Sequence, residues 1–129
     1  MSDDTSVWLR YARENAQIAE MALESGLLNP CLQNAQQAVE KTLKAMRVCR
    51  GLPARRTHSI RDLNRDLTAA GLDTNLTEDD CELFDSIYVS SKYPLDSVLP
   101  DSPPDLDVCR HCLRVAKQVL AVAEKTAKE

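Results

Sequence analysis

The chain has 129 residues, about the size of one domain, with 43% apolar residues, 28% charged residues and a net charge of −4. These proportions exclude a wholly disordered chain and a collagen-like fibre, and no apolar run approaches the roughly 18 to 20 residues that a membrane-spanning helix needs. Only three glycines, one phenylalanine and 4% aromatics stand against abundant Ala, Leu, Glu, Lys and Arg, which favours helix over sheet.

The opening MSDDTSVWLRY has no basic flank ahead of an apolar core, so no signal peptide is expected. The five cysteines (Cys31, Cys49, Cys81, Cys109 and Cys112) are an odd number, and the expected setting is a reducing cytoplasm with free thiols. A first helix is predicted from about Thr5 to Ser25, with Trp8, Tyr11, Ala12, Ile18, Ala19, Ala22 and Leu23 on one face at about 100° per residue. Asn15 interrupts that apolar stripe. A second helix is predicted to begin with Asn29 as N-cap and Pro30 at the first helical position, and to end near Arg50 before Gly51. Its stripe is Leu32, Ala35, Val39, Leu43 and Met46, with Gln36 at the edge and Gln33, Gln37, Glu40, Lys41 and Lys44 along one flank.

Leu52 to His58 contains Pro53 and reads as a loop. A third helix is predicted to start near Ser59 and stop by Gly71, with Ile60, Leu63 and Leu67 inward. Thr77 is the expected cap of a fourth helix, whose acidic Glu78-Asp79-Asp80 start suits the positive end of the dipole. Phe84, Ile87, Tyr88 and Ser91 would face inward there. A loop punctuated by Pro94, Pro100, Pro103 and Pro104 follows, and Ser102 with Asp105 has the spacing of a capping box. A fifth helix would carry Cys109, Cys112, Leu113, Ala116, Val119, Leu120 and Ala123 on one broad stripe. Gly26, Gly51 and Gly71 each follow a helical stretch, where a left-handed cap is needed. Short links between such helices favour antiparallel neighbours, so the expected fold is all-α, an up-down bundle of about five helices in a single domain, 1–129.

Charge is strongly segmented. Residues 41–65 hold eight basic residues (Lys41, Lys44, Arg47, Arg50, Arg55, Arg56, Arg61 and Arg65) and one acid, net +7. Residues 66–107 hold eleven acids and one lysine, net −10. The readings of the basic segment stand open: it serves a phosphate or an acidic partner, or it is a solvated helix end that favours cations, or it pairs with the acidic segment of the same chain. Asn15 and Gln36 also allow two readings. They bond each other or a neighbouring helix and fix register, or they line a polar groove between the first two helices.

The chemical motifs are few. Cys109-Arg110-His111-Cys112 has metal-like spacing, but helical geometry turns His111 about 100° away from the two cysteines, which share the apolar stripe. Core cysteines are therefore expected, with no structural metal and no cofactor. No Gly-rich phosphate loop, G-x-S-x-G elbow or H-E-x-x-H is present.

The most informative stretch is Gln36-Gln37-Ala38-Val39-Glu40-Lys41-Thr42-Leu43-Lys44-Ala45. It resembles the QQAxEKxLKA signature of the HEPN domain family (higher eukaryotes and prokaryotes nucleotide-binding). Trp8 early in the first helix fits the same pattern. Thr57-His58-Ser59-Ile60 after Arg56 is similar to the family's RTHxL, and Tyr93-Pro94-Leu95-Asp96 to its RYPD, with Lys92 in place of the arginine. The resemblance implies a five-helix bundle that commonly forms a homodimer, and in many members a minimal nucleotidyltransferase as toxin–antitoxin partner. Other members are ribonucleases that use an arginine, four to six residues, then a histidine. Here the required arginine positions hold Gly51, Leu52 and Pro53 ahead of His58, and Pro104, Asp105 and Leu106 ahead of His111. The spacing is absent at both histidines. The expected function is thus a non-catalytic HEPN protein that binds a nucleotidyltransferase, a nucleotide or RNA phosphate, with no membrane association. The alternative is a HEPN ribonuclease with a diverged active site, in which Arg56 would clamp phosphate and His58 act as acid–base. The resemblance makes Gln37, Lys41, Lys44, Arg56, His58, Lys92, Tyr93 and Asp96 the candidate ligand- or partner-binding residues.

Overall fold

A computed structural model describes residues 3–92 and 104–128, and of residues 3 and 90–92 the backbone alone. The described residues form five helices: α1 (Asp3–Glu24), α2 (Leu28–Arg50), α3 (Ile60–Ala69), α4 (Glu78–Lys92) and α5 (Leu106–Ala127). Among the described residues there is no strand, and no helix is long and apolar enough to cross a membrane. The expected all-α bundle is the observed one.

The buried face of α1 is Leu9, Ala12, Ala16, Ala19 and Ala22. Ile18, expected inside, is 48% exposed, and Tyr11 is 41% exposed; Trp8 is only partly buried against the core. The reason is side-chain size. Alanines let α1 lie close on α2, as dense packing favours, so beyond Leu9 the stripe centres on the small residues, and Trp8, Tyr11 and Ile18 fall at its margin. A tight turn then closes α1. Gly26 adopts φ 74°, and Leu27 N–H donates to Ala22 O at 2.8 Å.

The start of α2 also differs from expectation. Leu27 is its N-cap, with no side-chain cap bond, so Asn29 and Pro30 both lie inside the first turn. The turn that ends α1 delivers the chain straight into α2. Pro30 is harmless there, because a first-turn N–H has no intrahelical partner anyway. At the other end α2 stops as the glycine predicts: Gly51 takes φ 77°, and Leu52 N–H donates to Arg47 O at 3.0 Å.

α2 packs against each of the other four helices. The expected stripe (Leu32, Ala35, Val39, Leu43 and Met46) is buried, and so are Gln36, Glu40, Thr42 and Arg47. α3 starts at Ser59, whose Oγ accepts from Asp62 N–H at 3.1 Å, and buries Ile60, Leu63 and Leu67. Thr77 caps α4 by accepting from Asp80 N–H at 3.0 Å, and Phe84 and Ile87 face inward, with Tyr88 half-buried. Ser91's side chain lies outside the described residues, as do Ser102 and the loop prolines Pro94, Pro100 and Pro103. Asp105, read from sequence as the third residue of a capping box, is itself the N-cap of α5, accepting from Val108 N–H at 2.8 Å. Asp is among the best caps, and it competes for that place with Ser102. The whole predicted stripe of α5 is buried.

Candidate anion-binding site

Because α2 is enclosed, even the polar residues of its signature are drawn inward. Gln36, Glu40 and Lys44 repeat every four residues and so form one ridge. Glu40 is only 4% exposed. Its carboxylate accepts from Lys44 Nζ at 3.2 Å and from Gln36 Nε2 at 3.4 Å. It also meets His58 Nδ1 at 3.1 and 3.2 Å through its two oxygens. Gln37 Nε2 donates to Gln36 Oε1 at 2.7 Å. One buried carboxylate therefore ties the signature helix to the loop that carries His58.

Two anchors place that loop. Arg47 Nη1 donates to Asp66 Oδ2 at 2.8 Å, and its Nη2 donates to Pro53 O. Asp85 of α4 reaches across to the start of α3, accepting from Ile60 N–H at 2.7 Å and Arg61 N–H at 3.3 Å. A carboxylate there satisfies end-of-helix donors and complements the dipole. Held this way, the His58 ring stacks on Tyr88 at 4.7 Å between centroids and 15° between planes. With Nδ1 turned to both carboxylate oxygens, the neutral ring carries its proton there, and Nε2 is an acceptor on a side chain 57% exposed.

The remaining candidates separate. Lys41 Nζ donates to Asn15 Oδ1 at 2.7 Å, and Asn15 Nδ2 donates to Asn34 Oδ1 at 3.0 Å. Asn15 thus bonds the neighbouring helix and fixes the register of α1 on α2, whereas Gln36 bonds within α2. Arg56 lies apart, in a cleft of about 410 Å³ whose wall also includes Trp8 and Lys44. The structure therefore joins Gln37, Lys44 and His58 through Gln36 and Glu40, and leaves Lys41 and Arg56 in separate surroundings. Lys92's side chain and all of Tyr93 and Asp96 lie outside the described residues.

The basic segment resolves largely into internal pairing. Lys44 pairs with Glu40, Arg47 and Arg55 both pair with Asp66, and Arg61 and Arg65 both pair with Glu78. Among the described residues Lys41, Arg50 and Arg56 make no ion pair. The signature lysines are less free than a solvated flank would make them: Lys44's side chain is 16% exposed.

The C-R-H-C stretch behaves as helical geometry requires. Cys109 and Cys112 are buried, and Cys109 Sγ donates to Leu28 O at 3.5 Å. His111 turns to α4, with Nε2 2.7 Å from Asp80 Oδ1. Arg114 Nη2 lies 2.9 Å from Nδ1, and a guanidinium only donates, so Nδ1 is placed as an acceptor and Nε2 as the donor toward Asp80. Among the described residues no group of three His, Cys, Asp or Glu is arranged to hold a metal. Burial pushes the Cys31 and Cys81 thiols up to about 11 and Cys112 up to about 12.

Four contributors were not singled out from sequence: Glu40 as anchor, Arg47, Tyr88 as a stacking partner and Asp85. Two had a readable signal. Glu40 is four residues from both Gln36 and Lys44, and Arg47 continues the inward run Val39, Leu43 at the same interval. Asp85 and Tyr88 depend on how α4 docks.

The profile of the HEPN domain matches residues 5–126. The chain belongs to the HEPN domain family. Two solved structures are similar to this HEPN chain throughout. TT1696 from Thermus thermophilus is 29% identical, with a TM-score of 0.76 covering 97% of this chain and 99% of that one. ST0689, an archaeal HEPN homologue, is 21% identical, with a TM-score of 0.72 over 95% of this chain and 97% of that one, a likeness of fold alone. No curated protein matches the chain.

Proposed function

We propose that this HEPN protein is a non-catalytic binding module that pairs with a second copy of itself and docks a minimal nucleotidyltransferase or a phosphate-bearing ligand. The observation that supports it most is the use made of Glu40. The family signature's carboxylate, Glu40, is bound both to Lys44 and to His58, so the signature holds the fold together, while Lys41 and Arg56 make no ion pair among the described residues. No arginine stands at the ribonuclease spacing, and among the described residues no guanidinium bonds His58. Self-pairing is supported by Val7, Tyr11, Ile18 and Met21, exposed on the outer face of α1 at spacings close to a heptad seam.

A second reading has one observation in its favour. Glu40 fixes the His58 ring so that Nε2 is presented as a proton acceptor, the arrangement a general base needs. One experiment separates the two. Protein purified from its native host is examined for co-purifying proteins, and then incubated with RNA. The binding reading expects a nucleotidyltransferase that is lost with Lys41→Glu, a dimer that Ile18→Glu makes monomeric, and intact RNA. RNA cleavage abolished by His58→Ala would establish the second reading instead.

A further inference from the structure

We propose that the groove between the last turns of α1 and the outer face of α5 docks an amphipathic helix of a partner protein, one whose apolar stripe is flanked by acidic side chains. The surface is separate from Lys41 and from the seam of Val7, Tyr11, Ile18 and Met21, so it goes beyond the contacts argued above.

α1 and α5 run antiparallel, as the pairs Glu20–Lys117 at 2.7 Å and Arg13–Glu124 at 3.4 Å require. Two packed helices leave a furrow along their line of contact, and here it has a volume of about 480 Å³. Leu23, Leu113 and Ala121 supply apolar surface, and Arg110, Arg114 and Lys117 stand along it. From Arg110 to Ala121 the furrow follows about three helical turns, roughly 16 Å. The exposed Ala121 lets another backbone come close. Leu106 continues the same face one turn earlier and is 45% exposed, and Leu27, 55% exposed, lies in the turn just after Leu23. The bond from Cys109 Sγ to Leu28 O draws the start of α5 against that turn. Both leucines therefore lengthen the apolar floor at one end.

Charge decides the kind of occupant. Three cations and no acid line the furrow, in a chain whose net charge is −4. Their own chain holds them loosely. Arg114 makes no ion pair among the described residues and meets only an imidazole nitrogen, Nδ1 of His111. The acid beside Arg110 is Asp107, 3.7 Å away on a side chain 96% exposed. Lys117 and Glu20 form a surface pair, which contributes little. A partner's carboxylates can thus be added without breaking a buried pair, and arginine forks receive them through paired, charge-assisted bonds. An apolar floor with a cationic rim, as long as three helical turns, is the complement of an acidic amphipathic helix. RNA fits less well, because no aromatic side chain lines the furrow to stack a base.

The full chain is titrated with a fluorescent synthetic peptide of about 21 residues, three heptads with leucines every third or fourth position and glutamates on both flanks. Saturable binding is expected, with a peptide carrying lysine in place of every glutamate weaker by at least about tenfold. Arg114→Glu should weaken the acidic peptide by about tenfold or more. Its side chain is exposed and without an ion pair, so the helical spectrum should not change. Ala121→Trp keeps the charge but fills the furrow, and should weaken binding as much. Arg56→Glu, the same charge reversal elsewhere, should leave affinity within about twofold, which excludes a diffuse effect of net charge. Equal binding of the two peptides, equal loss in Arg56→Glu, or unchanged affinity in both Arg114→Glu and Ala121→Trp would overturn the proposal. So would a uridine oligonucleotide that binds more tightly than the peptide and is lost in Arg114→Glu, which would make this an RNA surface. A dimer that Ala121→Trp makes monomeric, with no peptide bound by the parent, would assign the furrow to a second copy instead.

Discussion

The five thiols show how strongly environment divides residues of one type. Cys49 is exposed, whereas Cys31, Cys81, Cys109 and Cys112 are buried. Burial disfavours the thiolate, and so Cys31 and Cys81 rise to about 11 and Cys112 to about 12, from an ordinary value of 9.0. In the unfolded chain the same thiols lose their protons near pH 9. Between there and pH 11 to 12 the folded state holds more protons than the unfolded one, so stability falls as pH rises. Below pH 9 this contribution is complete and constant. Urea denaturation from pH 8 to 11 should show a loss of about 1.4 kcal/mol per pH unit for each thiol concerned, once past pH 9. Substituting Cys112 by Ala should make that slope shallower. At this scale the sequence was legible where periodicity alone decides: Cys109 and Cys112 share a face with Leu113 and Ala116. It was not legible for Glu40, which resembles a solvated acid until the loop carrying His58 folds back onto it.

The helices were readable mainly through their ends. Gly51, Ser59 and Thr77 mark the boundaries the structure has, because each cap is decided within a few residues of chain. Asn29-Pro30 misled for a related reason. The tight turn after α1 already determines where α2 begins, and a proline fits any place in a first turn. Beyond reach was the capping of α3 by a residue 25 positions away, Asp85. That contact joins α3 to α4 and sets the position of the His58 loop. Asp85→Ala leaves Ser59 in place but removes the acceptor for Ile60 and Arg61. It should lower stability by about 1 to 2 kcal/mol, a typical value for a lost cap. Thermal denaturation would measure the loss. Asp85→Asn should recover part of it, because the amide oxygen still accepts. His58's ring resonances should shift in Asp85→Ala as well, since its loop is released.

For the whole molecule, the seam of Ala12, Ala16, Ala19 and Ala22 has a kinetic consequence. α1 and α2 are neighbours in sequence, joined through Ser25, Gly26 and Leu27, and their interface needs few rotamers to be fixed because alanine has none to lose. Contacts so local close early, whereas α5 must return across most of the chain to reach the same surface. The α1–α2 hairpin is therefore the expected folding nucleus, and α5 the part that docks after the barrier. Ala16→Gly should chiefly slow refolding, while Val119→Ala should chiefly speed unfolding, and the two arms of a chevron plot would separate them. The order also bears on the thiols. Cys31 sits on the early hairpin and Cys109 on the late helix, so a chain paused between the two steps exposes reactive sulfur that the finished protein hides.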